Sequence, residues 1–447
     1  VKRVLAALAA LLLTISFISI PAEAVDIDEV RAVIDSIPEN WPEGPSIGAK
    51  NAVLMDAETG EILYAKNALD AAYPASTTKL MTALLTLEQA GLNDIVDFSF
   101  QAINIPSNSS YIGMRRGEQM VLKECLYGLL LPSANEVANA LAEHVSGSIG
   151  LFVKEMNVRA FELGCVNTVF QNANGLHHVS HYTCAYDLAL VMKACIANPA
   201  FLEISSAQSY VHHSDELLPK DIPMVNTNKM IRPASEYYNA DVICGKTGHT
   251  DESGHNLVSY AERNGTKLIA VVLGCADGNE YVSTQSLFDY GFNYFNQMLP
   301  ADFDQSLDME AAYTSSPLQV PTPGLSLLHL DSSERILVPA GVTYDMLEKK
   351  TEKTDDGITL TYIYEGYPLG SVHLSYQDPV PADFYEVDEK TVAKAPTVAT
   401  LAILDGRLLL LLGGLTALCI LVILLIKYIF LPRTQKRPEM KINLTKK

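Results

Sequence analysis

The sequence predicts an α+β protein: an antiparallel sheet with a helical subdomain, then a small all-β domain, then a single C-terminal transmembrane helix. Three observations lead there. Strand-like runs stand at both ends of the region from Ala52 to Phe295, with helical spacing between them. Past Pro300, short strand-like runs alternate with turn residues. Leu408 to Ile426 carries no charge and no proline, and at helical rise it spans roughly 28 Å, close to a bilayer core.

Taken in order, Lys2-Arg3, an apolar stretch from Val4 and the ending Ala22-Glu23-Ala24 describe an export signal over residues 1–24. Pro38 to Pro45, with Trp41, reads as an irregular lead-in. Ala52 to Tyr64 reads as two strands joined at Gly60. From Ser76 the pattern becomes helical through Leu80, Leu84 and Leu87. Leu122 to Leu131, the Ala138-Leu141-Ala142 stretch and Asp187 to Ala197 extend the helical middle. Val242 to Cys244, Leu257 to Tyr260 and Leu268 to Leu273 return to strand, and Ser286 to Phe295 reads as a closing helix. These runs place a main domain at 25–300 and a β domain at 305–385, the latter on Ile336 to Val338, Ile358 to Tyr362 and Gly370 to Leu374. A spacer follows at 386–407, then the membrane helix at 408–430 and a basic tail at 431–447.

The composition is that of a folded chain: 447 residues, 48% hydrophobic and 19% charged. The net charge of -20 argues against nucleic acid as a partner. The last residues oppose that sign, with Lys427, Arg433, Lys436, Arg437 and Lys441 among them. A basic tail after an apolar span stays cytoplasmic, so the acidic body faces outward, as an export signal also requires. Of seven cysteines, Cys419 falls in the span, and the rest show no metal-like spacing. Cys244 and Cys275 either face each other or, the favoured reading, are buried thiols.

Three short motifs carry chemistry. In Ser76-Thr77-Thr78-Lys79 the serine and lysine lie three apart, one helical turn, so the amine reaches the hydroxyl. A serine needs such a base to become a nucleophile, and the backbone N–H of Ser76 near a helix start is free to meet an oxyanion. Ser133-Ala134-Asn135, between two helices, offers Ser133 as a proton relay and Asn135 as a donor and acceptor for a substrate amide. Lys246-Thr247-Gly248-His249 offers a cation and a hydroxyl for a carboxylate, a glycine for close backbone approach and the His249 N–H for an oxyanion. Each alone also fits an N-cap, a helix cap or a hairpin turn. His177, His178, His181, His249 and His255 stand near these motifs without an HExxH-like spacing, and read as rim or loop residues with no metal.

Order and separation make the three a set, the one found in penicillin-binding proteins and class A β-lactamases. With Tyr73 to Ala83, Leu126 to Asn135, Asn172 to Leu176, His181-Tyr182 and Gly245 to Thr250, the chain resembles the D-alanyl-D-alanine carboxypeptidases, low-molecular-mass penicillin-binding proteins of peptidase family S11. The resemblance implies a β-lactamase/D,D-peptidase-like fold and acyl transfer. Ser76 attacks the bond between the terminal D-alanines of a peptidoglycan stem peptide, Lys79 is the general base, and Lys246 and Thr247 hold the carboxylate. β-Lactams are then covalent inhibitors, and no cofactor is needed. The resemblance departs at the anchor, since many members use an amphipathic helix, and at Ala134 in the middle motif. A β-lactamase would need a glutamate with an asparagine four residues on. Glu162 is the nearest candidate, and position 166 is Val166. An endopeptidase or transpeptidase on the same scaffold, or an inactive wall-binding protein, are the other readings.

Overall fold

The computed structural model describes residues 25–303, 328–330, 334–354 and 357–376. The export segment, spacer, membrane helix and basic tail expected from the sequence lie outside these residues. Among the described residues no single helix is long and apolar enough to cross a membrane.

Strands β1 (Asn51–Asp56), β2 (Ile62–Lys66), β3 (Val242–Thr250), β4 (Gly254–Arg263) and β5 (Thr266–Cys275) form one antiparallel sheet in the order β2-β1-β5-β4-β3. The helical middle is inserted between β2 and β3, which is why strands appeared at both ends of the sequence. Both faces of this sheet are covered. Along β5, Ile269, Val271 and Leu273 join the core under the inserted helices, while Leu268, Ala270 and Val272 join a second core. Alternate side chains point to opposite faces, so a strand buried on both reads as an unbroken apolar run. β1 follows the same rule, with Val53 and Met55 in the first core and Ala52 and Leu54 in the second.

The first core is built by α2 (Lys79–Gln89), α3 (Leu122–Leu130), α4 (Asn135–Ser146), α5 (Ile149–Glu162) and α6 (Ala185–Ile196); α1 (Ile27–Asp35) precedes the sheet. Every residue of α2 from Lys79 to Thr86 is buried, the mark of a helix running through a core. The closing helix α7 (Asn279–Tyr294) begins seven residues before the expected Ser286. Its cap is Gly278 in the left-handed region, with no side-chain cap, so the usual start signal was missing. One further expectation needs correcting: Ser76 sits in a short 3-10 turn, Ala75–Thr78, ahead of α2. Lys246 to Thr250 continues the strand that starts at Val242.

The β region follows directly on the main domain. β6 (Phe295–Met298) pairs with β8 (Ile336–Pro339), and β7 (Leu328–Leu330), β9 (Glu348–Lys353), β10 (Gly357–Tyr364) and β11 (Tyr367–Tyr376) form a sheet in the order β7-β11-β10-β9. This region packs onto the main sheet. Trp41 of the irregular lead-in packs between Phe295 and Tyr367, tilted to the first and edge-on to the second, with ring centroids 5.3 and 5.1 Å away, and donates to the carbonyl of Leu63 at 2.9 Å. The Tyr367 hydroxyl donates to the Ile62 carbonyl at 2.7 Å, and Arg335 pairs with Glu58. Tyr367 is 1% exposed, so Tyr367→Phe is expected to cost about 0.5–1.5 kcal/mol. A lowered urea midpoint at unchanged slope would show it; no change would mean the bond adds nothing.

All six described cysteines are free, and Cys125, Cys184, Cys195, Cys244 and Cys275 are buried. The buried-thiol reading of Cys244 and Cys275 therefore stands.

Candidate active site

The 3-10 turn and α2 start against β3 and β4, and the three motifs meet there. Lys79 is fully buried. Its Nζ lies 3.1 Å from Ser76 Oγ, 2.7 Å from Asn135 Oδ1 and 2.5 Å from the carbonyl oxygen of Asn174. The last two partners only accept. They hold N–H groups of the amine, and in its neutral form the remaining direction, a lone pair, points at the Ser76 hydroxyl. Burial pushes the Lys79 ammonium well below the usual lysine range. The nearby Lys246 charge pushes the same way and the Glu136 carboxylate opposes both. Glu136 is itself fixed by the backbone N–H groups of Ile112 and Gly113, at 2.7 and 3.1 Å.

Ser76 is half-buried and opens onto a cleft of about 870 Å3. Ser133, Asn135, Thr247, Gly248 and His249 line the same cleft. β3 is an edge strand of the sheet, so one side of its backbone is not paired to another strand. The segment before the nucleophile is tied down by Asn256 of β4, whose Nδ2 donates to the carbonyls of Tyr73 and Pro74 at 2.9 and 3.1 Å. Two non-glycine residues in the left-handed region flank the site, Ala75 with φ +47 and Ser133 with φ +67. Strain of this kind persists where the surroundings over-determine the backbone.

Several expected roles change on this geometry. The acceptor of Asn135 is already committed to Lys79, which leaves only its Nδ2 for a substrate. Ser133 does not bond to Lys79; its Oγ is buried without a partner, a costly state for a hydroxyl. Lys246 is 1% exposed, whereas Thr247 beside it lines the cleft. Its Nζ donates to the Thr247 carbonyl at 2.9 Å, and burial pulls its pKa down to about 7. Lys246 thus also bears on the charge of Lys79. Gly248, besides lining the cleft, lies against the nucleophile's own turn. A Cβ there would lie 2.8 Å from the Pro74 oxygen and 3.1 Å from the Ser76 nitrogen. Glu162 pairs with Arg159 at 3.2 Å and does not line the cleft. His181 is a loop residue, and a buried one: it is 2% exposed, accepts from Gln171 N and bonds Thr78 Oγ1, and burial lowers its pKa to about 4.

Sequence reasoning missed Asn174, Asn256, Thr227 and Lys229. Thr227 Oγ1 lies 2.7 Å from Thr247 Oγ1. Lys229 lines the cleft and sits 5.4 Å from the ring centres of Tyr237 and Tyr281. Only Asn174 had a signal, since it lies in the Asn172 to Leu176 run. Gly175, next to it, has φ +87, and a Cβ would fall 2.0 Å from the Ala75 oxygen and 3.0 Å from the Ser76 nitrogen. Gly175→Ala is expected to destabilise by about 1–3 kcal/mol or more and to slow acylation by displacing Ser76. A thermal melt and a penicillin-labelling time course check both, and an unchanged labelling rate would refute the second.

The sheet with its inserted helices, and the serine–lysine pair beside an edge strand, define a serine hydrolase of the DD-peptidase fold. A mutant of a Streptomyces DD-transpeptidase superposes with a TM-score of 0.53 at 27% identity, covering 56% of this chain and 99% of that one. A D-alanyl-D-alanine carboxypeptidase from Mycobacterium tuberculosis superposes with a TM-score of 0.51 at 28% identity, covering 57% and 95%. The chain belongs to the peptidase S11 family, D-alanyl-D-alanine carboxypeptidase, whose model matches residues 39–277. Among curated proteins, the D-alanyl-D-alanine carboxypeptidase DacF of Bacillus subtilis is 32% identical over 354 residues, 78% of this chain and 86% of that protein.

Proposed function

We propose that this chain removes the terminal D-alanine from peptidoglycan stem peptides through an acyl-enzyme on Ser76. The observation that carries the reading is the buried lysine whose acceptor partners aim its lone pair at that hydroxyl. Lys79 takes the Ser76 proton as Oγ attacks the carbonyl between the two D-alanines. The N–H groups of Ser76 and His249 receive the oxyanion. The unpartnered Ser133 hydroxyl passes a proton to the leaving D-alanine amine, and water then releases the acyl group. The peptide backbone lies along the free edge of β3, Asn135 Nδ2 donates to it, and the Thr247 hydroxyl meets the terminal carboxylate. Penicillin presents a comparable acyl group and stops at the covalent stage. The apolar run at 408–430 with its basic tail, and the signal at 1–24, support an outward-facing enzyme held to the cell membrane by one helix.

Incubating the purified protein with an acyl-D-Ala-D-Ala peptide tests the assignment. Release of one D-alanine per peptide is expected. If an added amine captured the acyl group in place of water, the transpeptidase reading would take over; if neither product formed, the enzymatic reading would fall.

A further inference from the structure

Outside the serine–lysine machinery, three metal-ligating side chains converge at the rim of the cleft. His255 lies near the start of β4, Asp277 in the turn after β5, and Glu280 in the first turn of α7. The fold assembles them, so no motif spacing announces them. His255 Nδ1 is 3.8 Å from Asp277 Oδ1 and 3.6 Å from Glu280 Oε1, and all three donor atoms lie within 4.8 Å of one another. Both separations are too long for hydrogen bonds. They approach the spacing of donors sharing one tetrahedral ion, roughly 3.3–3.6 Å at zinc bond lengths of about 2.0–2.2 Å.

A second observation points to a ligand. Glu280 is 4% exposed and its Oε2 has no partner. Within ion-pair range, the His255 imidazole is the only basic group facing it among the described residues. A carboxylate buried with so little compensation calls for a cation. The His249 ring lies against His255 with centroids 4.2 Å apart and restrains its plane.

The other cluster of this kind, Glu124, His212 and Asp215, differs. There His212 Nδ1 is 2.9 Å from Glu124 and its Nε2 is 3.2 Å from the Leu218 carbonyl. Glu124 also accepts from Tyr210, and Asp215 from the N–H groups of Leu217 and Leu218. Those groups satisfy one another and need no ion.

We propose that His255, Asp277 and Glu280 bind one divalent cation of the zinc class at the cleft rim. One imidazole and two carboxylates are a zinc donor set, and three protein ligands leave a fourth position open. The site lies on the same cleft wall as Thr247 and His249, and a cation there offsets Asp251, Glu252, Asp277 and Glu280 along that rim. Binding of the ion does not depend on the enzymatic reading.

The test is a titration of the full chain, stripped with a chelator, by Zn2+ in competition with a chromophoric chelator. One saturable equivalent is expected, lost in Glu280→Gln and weakened at least about tenfold in Asp277→Asn, whose side chain is exposed and whose loss leaves the fold intact. Asp215→Asn, in the other cluster, should bind as the parent does. Penicillin labelling of Ser76 in each variant reports the folded site separately, so failure of the metal site and failure of the enzyme are distinguishable. Absence of saturable binding, retention of it in Glu280→Gln, parent affinity in Asp277→Asn, or loss of binding in Asp215→Asn would overturn the proposal.

Discussion

Ser76→Ala is expected to lower D-alanine release by roughly 10^4–10^6-fold and to abolish covalent labelling by fluorescent penicillin. No other serine lining the cleft bonds a buried lysine: Ser133 Oγ has no partner among the described residues. The fold should survive, because Ser76 is half-buried and its side chain makes one bond, to Lys79. Thermal unfolding should therefore shift little while activity disappears. Persistent labelling of the alanine variant would place the nucleophile elsewhere. Lys79→Ala should fall almost as far, since a nucleophile and its base act as one unit.

The second large effect concerns pH. Lys246 lowers the proton affinity of Lys79, and Glu136 raises it. Lys246→Met removes a positive charge, so the Lys79 pKa should rise and the acid limb of kcat/KM should move to higher pH. Glu136→Gln should move it to lower pH. At neutral pH the methionine variant then has less unprotonated base and is slower, by about tenfold for each unit of displacement. Stability should change the opposite way. Folded Lys246 titrates near 7 and an unfolded lysine near 10.4, so between those values the unfolded chain binds more protons. Stability of the parent rises with pH across that window. The advantage of Lys246→Met is thus full below about pH 7 and fades as pH climbs to the lysine range. Melting curves and pH–rate profiles on both variants decide it. An acid limb that stays fixed would mean Lys246 does not set the charge of Lys79.

The serine–lysine pair was legible because it depends on one local geometry, a spacing of three on a helical turn. The sheet was legible because alternate burial on two faces leaves an apolar run, as in Leu268 to Leu273. What the sequence hid was burial. Nothing in Lys246-Thr247 says how far each side chain is buried, and the fold leaves the threonine lining the cleft and the lysine buried. Asn174 donates no side-chain chemistry to Lys79, only a carbonyl, and backbone groups carry no residue signature. Asn256 and Thr227 reach the site from elements far away in the chain, so only the folded register reveals them. Gly248 looked like an opening for substrate, yet its missing side chain makes room for the turn that bears Ser76.

The six free thiols carry a consequence of their own. Burial raises the pKa of Cys125, Cys165, Cys184, Cys195, Cys244 and Cys275 alike, and thiolate is the reactive species. These six thiols are therefore expected to react slowly with alkylating agents and oxidants while the domain is folded. They become reactive when it opens, which makes the rate of their modification a built-in clock for unfolding.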